Sequence, residues 1–196
     1  MKCGVDDRLK RGTMRCTELI AQDHAVLRQG LNILDRMVQI MEEGDRIEIF
    51  DIRTVLKFLR MFGDEYHQSM EEKVLFPMLL RAAPQDVIQG LMLEHHEERE
   101  LVTAIEDALS PKHGIGFVRN SRQLILLLRK HLDMEDKVFL DIAERLLSRE
   151  EDEEIATEFT AHQPQSETYS AFARLERKYA AKPRTVAREL DRRAHA

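Results

Sequence analysis

His67-Gln68-Ser69-Met70-Glu71-Glu72-Lys73-Val74 returns later in the chain as His131-Leu132-Asp133-Met134-Glu135-Asp136-Lys137-Val138. Both stretches read His-x-x-Met-Glu-acid-Lys-Val. Residues four apart on a helix share a face about one turn apart. His67 with Glu71, and His131 with Glu135, can therefore point together into a core. A looser match precedes each copy, Asp23-His24 before the first and Glu94-His95 before the second. Each half thus offers a lone His on one helix and a His-x-x-x-Glu on the next. Folding the halves about a pseudo-two-fold axis sets two equivalent ligand groups face to face.

Outward from the repeat, apolar residues recur at helical spacing almost throughout. A first helix is expected over about residues 17–43, N-capped by Thr17 and ended by Gly44. Its inner stripe is Ile20, His24, Leu27, Leu31, Leu34, Val38 and Met41. A second starts near Asp51 and turns Val55, Leu56, Leu59, Phe62, Met70, Val74 and Leu75 inward, with Pro77 kinking or ending it. A third covers about residues 85–109, with Leu91, His95, Val102 and Ile105 inward. Ser110-Pro111 and Gly114 to Gly116 read as a loop. A fourth covers about residues 118–148, with Leu124, Leu128, His131, Val138 and Ile142 inward. The acidic run Glu150 to Glu154 reads as the solvated start of a weaker helical region that ends near Tyr179. Four long helices on short loops make an all-α antiparallel bundle. Residues 1–14 are expected to be flexible, 15–148 to form the bundle, and 149–196 to form a C-terminal helical extension with a frayed tail.

An ionised carboxylate without a partner in such a core is penalised by several kcal/mol or more, and a buried imidazole also needs partners. Metal cations compensate both. The predicted ligands are His24, His67, Glu71, His95, His131 and Glu135. Three ligands per metal, with carboxylates able to bridge, suit iron or manganese, whereas a lone structural zinc needs only four ligands in all. His95 is preferred to His96 because it continues the stripe. His113, His162 and His195 read as surface residues. Tyr66, Met70 and Met134 read as packing. Glu72 and Asp136 are expected either to face solvent or to hydrogen-bond behind the ligands.

Composition narrows the partners. The 196 residues carry a formal net charge of −6, which leaves no basic footprint for nucleic acid or for an anionic membrane surface. The two cysteines, Cys3 and Cys16, lack Cys-x-x-Cys spacing and read as reduced thiols. There is no apolar signal region and no run of the roughly 20 residues a membrane span requires. A cytoplasmic protein is expected.

With His24, His67-x-x-x-Glu71, His95, His131-x-x-x-Glu135 and the run Glu71 to Pro77 in view, the chain resembles the hemerythrin-like family, the HHE cation-binding domain. The resemblance spans about residues 15–148. It implies an up-down-up-down four-helix bundle around a non-haem di-iron centre bridged by the two glutamates, with manganese or zinc as other occupants. Oxygen-carrying members have a second His one turn after the third-helix ligand, where Arg99 stands here. They also end in His-x-x-x-x-Asp, a spacing that Asp136 satisfies, although the repeat favours Glu135. The pattern is closer to bacterial members linked to nitric oxide or peroxide handling and to iron–sulfur cluster repair, without the Cys-rich N-terminal module of the repair proteins.

Two functions share these ligands. One is a di-iron protein that binds, senses or reduces oxygen, nitric oxide or peroxide. The other is an iron sensor or donor, including one for iron–sulfur repair, that acts through a protein partner docked on residues 150–179, or through a homo-oligomer. Whether the site turns over as an enzyme is open at this level.

Overall fold

The computed structural model describes residues 14–109, 114–164 and 166–180, and among them it is helical with no β-strand. Helix α1 is Arg15–Glu42. Helix α2 begins as Ile49–Phe58 and runs on through π-helical turns at Leu59–Gln68 and Glu71–Leu75 to Phe76–Leu79. Helix α3 is Gln85–Asp107. Helix α4 begins as Gly114–Met134, passes through a π turn at Glu135–Phe139 and ends with Leu140–Leu146. Helices α5 (Arg149–Ala161) and α6 (Ser166–Tyr179) follow. Around the core α1 touches α2 and α4, and α3 touches α2 and α4.

The ends of these helices have local causes. Thr17 is not the N-cap of α1. That position belongs to Met14, and the Thr17 hydroxyl, one turn in, donates to the Met14 carbonyl at 2.9 Å. Gly44 does end α1, at φ 88°. Its N–H donates to the Met41 carbonyl and that of Asp45 to the Ile40 carbonyl, each at 3.1 Å, the paired bonds that satisfy a helix end. Gly114 to Gly116 are not loop but the first turn of α4. Residues 110–113, with His113, lie outside the described residues, as do residues 1–13 with Cys3 and the tail with His195.

Inward positions follow the expected stripes with one clear exception. Val138 is 46% exposed, and Phe139 is fully buried in its place. Met41, Val74 and Ile142 are partly buried at the core edge. Gly30 marks a close approach of α1 to α2, since a Cβ there would stand 3.0 Å from the Phe58 ring.

The C-terminal region is two helices packed on the bundle rather than one weak element. α5 lies on α1 and α2, and α6 on the same pair. Ser148 caps α5 through a reciprocal pair with Glu151, so the acidic run is indeed a helix start. Ile155, Phe159, Phe172 and Leu175 are buried. Phe172 stacks on Phe58 with ring centroids 3.9 Å apart.

Candidate metal centre

The six predicted ligands meet in the core. His24 comes from α1, His67 and Glu71 from α2, His95 from α3, and His131 and Glu135 from α4, each 2% exposed or less. Both His-x-x-x-Glu motifs coincide with π turns. A π turn takes one residue more than an α turn and is frequent where a side chain must be re-aimed. His96, by contrast, has a side chain 66% exposed.

The inner geometry is two-fold in detail. The His24 and His67 rings lie 4.9 Å apart at 73°, and the His95 and His131 rings 4.9 Å apart at 66°. The Nε2 atoms of His24 and His67 face each other at 3.2 Å. Glu71 spans the halves, with Oε1 3.5 Å from His67 Nε2 and Oε2 3.5 Å from His95 Nε2. Glu135 Oε2 lies 3.2 Å from His24 Nε2 and 3.3 Å from His131 Nε2. Donor atoms of His24, His67, Glu71 and Glu135 all lie within 4.8 Å of one another, and so do those of His95, His131 and Glu135. Either group could hold a metal ion.

Behind the imidazoles stands a second ring of carboxylates, one for each Nδ1. Asp136 meets His24 at 2.6 Å, Asp23 meets His67 at 3.5 Å, Glu72 meets His95 at 2.8 Å and Glu94 meets His131 at 2.9 Å. An acid on Nδ1 fixes the tautomer that presents Nε2 to a cation. Glu72 and Asp136 therefore take the second of their two expected roles. Arginines close the outer layer. Arg99 donates to Glu72 at 2.7 Å and Asp64 at 2.6 Å, and Arg28 pairs with Asp136 at 2.7 Å. Arg28 and Arg99 each stand four residues after the lone His, so the repeat runs further than the octapeptide.

Charge tests whether cations fit. Both oxygens of Glu71 and of Glu135, and Nε2 of His95 and His131, are buried without a hydrogen-bond partner, which native cores rarely tolerate. Burial, with the Glu135 charge beside it, pushes the Glu71 carboxyl well above its ordinary range. Burial also favours a neutral Glu135, but His131 and His24 outweigh it and hold that carboxyl well below its ordinary range. His24, disfavoured as a cation by burial, is carried up to about 9 by Asp136 and Glu135. Burial holds His67 and His95 below the ordinary imidazole value. Among the described residues no arginine or lysine pairs with Glu71 or Glu135, so protons balance these inner carboxylates, and a hard or borderline dication matches the donor set better.

The chain matches the model of the hemerythrin HHE cation-binding domain over residues 16–143. It belongs to that family. No curated protein and no solved structure matches it. The HHE domain binds metal cations, and the buried His/Glu cluster fits that role.

Glu98 and Gln68 are among the buried polar residues of this HHE chain that escape the sequence reading. Glu98 is 2% exposed and Gln68, whose amide donates to it, 2% as well. Burial lifts the Glu98 carboxyl to about 7, against the Gln68 hydrogen bond and the His131 charge. The signal was present, because the α3 stripe Leu91, His95, Val102, Ile105 skips the one inward position that residue 98 occupies. Tyr66 donates to the Phe159 carbonyl at 3.2 Å and packs α5. His162 is exposed. Cys16 is a buried free thiol that burial and Asp152 push far up, so it is inert.

Proposed function

We propose that this HHE protein is a non-haem di-iron protein that binds and reduces a small ligand of the oxygen, nitric oxide or peroxide class. In this reading His24 and His67 would hold one iron and His95 and His131 the other, with Glu71 and Glu135 available to both, within an up-down-up-down bundle. The observation that carries it is the pair of unpartnered carboxylates shared between two matched imidazole pairs. Iron bound there would supply one-electron redox chemistry and open coordination positions. The chain's own residues orient the imidazoles through Asp23, Glu72, Glu94 and Asp136, and bury all six ligand side chains away from bulk solvent.

Arg99 cannot coordinate. Its guanidinium is engaged by Asp64 and Glu72, leaving equal imidazole sets on the two sides. Oxidation in air, rather than reversible oxygen carriage, follows from that. The sensor or donor reading is less well supported, since the buried faces of α5 and α6 are occupied by the bundle. Cytoplasmic residence belongs to the same proposal, as do manganese or zinc as substitute metals.

Protein made in iron-sufficient medium should hold close to two irons per chain and show near-ultraviolet iron absorption. After anaerobic reduction it should oxidise on exposure to air. One metal per chain, or a reversible oxygen complex, would count against the proposal.

A further inference from the structure

The inner and outer rings of the centre are nearly symmetric, but the layer between them is not. Glu98 stands three residues after His95, and the position three after His24 is Leu27. Gln68 follows His67, and the position after His131 is Leu132. Leu27 and Leu132 are buried apolar residues, 4% and 1% exposed. Asp64, four before Gln68, likewise corresponds to Leu128 in the repeat. One side of the centre is therefore sealed by leucines while the other carries a buried carboxyl and amide.

That polar side leads to the surface. A pocket of ≈ 190 Å³ between α2 and α3 is lined by Arg60, Asp64, Glu98, Arg99, Val102 and Thr103. Glu98 is the deeply buried acid among these lining residues. Gln68 donates to it from the residue after His67, and Gln68 Oε1 is buried with no partner. An orphan amide oxygen beside a polar site is where a bridging water is expected. At the matching positions of the other half stand leucines, and replacing a buried polar pair by apolar side chains is often neutral or stabilising.

We propose that Glu98 passes protons between solvent in the α2–α3 pocket and the buried metal centre. The inference rests on the redox reading above. The carboxyl gives one proton inward, becomes a carboxylate, and takes a replacement from pocket water. No electron moves in this step. Reduction of oxygen to hydrogen peroxide consumes two protons and two electrons, the electrons coming from the reduced irons. The charged and titratable groups around Glu98 are Arg60 and Asp64 on α2 and Arg99 on α3, with the charge of His131 on α4 acting from further in, and burial is the largest influence, lifting the carboxyl to about 7. That is the range in which a proton donor works best at neutral pH.

The test mixes anaerobically reduced, iron-loaded protein with oxygenated buffer across the neutral pH range. In the unmodified protein the oxidation rate should fall as pH rises through about 7. Glu98→Leu, which copies the Leu27 side, and Glu98→Gln should keep two irons per chain, slow oxidation by about a hundredfold and flatten the pH profile. Glu98→Asp should restore the pH dependence in part. In zinc-loaded protein, which is redox-silent, the infrared carbonyl band of a protonated carboxylic acid should titrate near neutrality and vanish in Glu98→Gln. An unchanged rate and pH profile in iron-replete Glu98→Leu overturns the proposal. So does absence of the band in the zinc-loaded protein, and so does loss of iron from both variants, which would place Glu98 in the framework that holds the metal. An unmodified protein that binds zinc but never iron defeats the redox reading, and the relay falls with it.

Discussion

Glu71 and Glu72 are neighbours with different work, and the same is true of Glu135 and Asp136. The first of each pair is fully buried between imidazoles, and the second reaches a His on an adjacent helix from the outside. Glu71→Ala or Glu135→Ala should abolish tight binding of at least one metal while the bundle still folds, because most of its stability lies in the apolar stripes. Glu72→Ala and Asp136→Ala should bind both metals more weakly by roughly ten- to a hundredfold, the usual effect of removing the acid behind a ligating His. Metal titration by calorimetry, with helicity followed by circular dichroism, checks both. Equal losses from Glu71→Ala and Glu72→Ala would mean that bridging and support are not separate roles.

The two motif helices carry π turns where an uninterrupted α-helix would be expected, and the extra residue changes which side chains face inward. At Glu135–Phe139 it sends Val138 to solvent and Phe139 to the core, and at Glu71–Leu75 it buries Leu75 beneath a partly exposed Val74. Pro77 sits just beyond the α2 turn, where a wider turn relieves its clash with the preceding carbonyl. The α4 turn has Asp141 at that place, so the proline is accommodated by the turn and is not its cause. Phe139→Ala should destabilise the protein by about 3–5 kcal/mol, and Val138→Ala by less than about 0.5 kcal/mol. Denaturant titration distinguishes them, and the reverse order would restore an uninterrupted α-helical phase. Ser148→Ala, which removes the cap of α5, should cost about 1 kcal/mol.

The C-terminal helices are joined to the bundle at a buried acid. Asp51, fully buried at the start of α2, accepts from Lys178 at 2.5 Å and Tyr179 at 2.7 Å, with Arg174 at 3.3 Å. Burial would raise this carboxyl, but those hydrogen bonds and charges outweigh it and hold it below its ordinary value. A lowered folded-state pKa means a contribution that is complete above the unfolded value of 3.8 and disappears as pH falls below it. Asp51→Ala should therefore destabilise the protein at neutral pH by roughly 1–3 kcal/mol, and the gap to the unmodified protein should close in acid. Hydrogen exchange should rise in α6 first, with the metal count unchanged. A stability difference independent of pH would mean that the Asp51 charge does not hold α6.

The sequence by itself determined the all-helical class, because stripes stepping by threes and fours leave no other way to bury the apolar residues. It also singled out the six residues that meet in the core, because a repeated His-x-x-Met-Glu-acid-Lys-Val with a matched lone His is too specific for packing alone. Arg28 and Glu98 also left a trace in the sequence, one as a further step of the repeat and the other as a charge in an apolar register, but only their places in the fold made them stand out. Three things needed the fold. The π turns shift the inward phase of α2 and α4, so i+3 and i+4 spacing misplaced Val138. The pairing of each Nδ1 with a carboxylate joins adjacent helices, and no local pattern states which helix lies beside which. The seating of α5 and α6 depends on long-range contacts such as Phe172 on Phe58 and Lys178 on Asp51, whose strength comes from burial that only the assembled bundle creates.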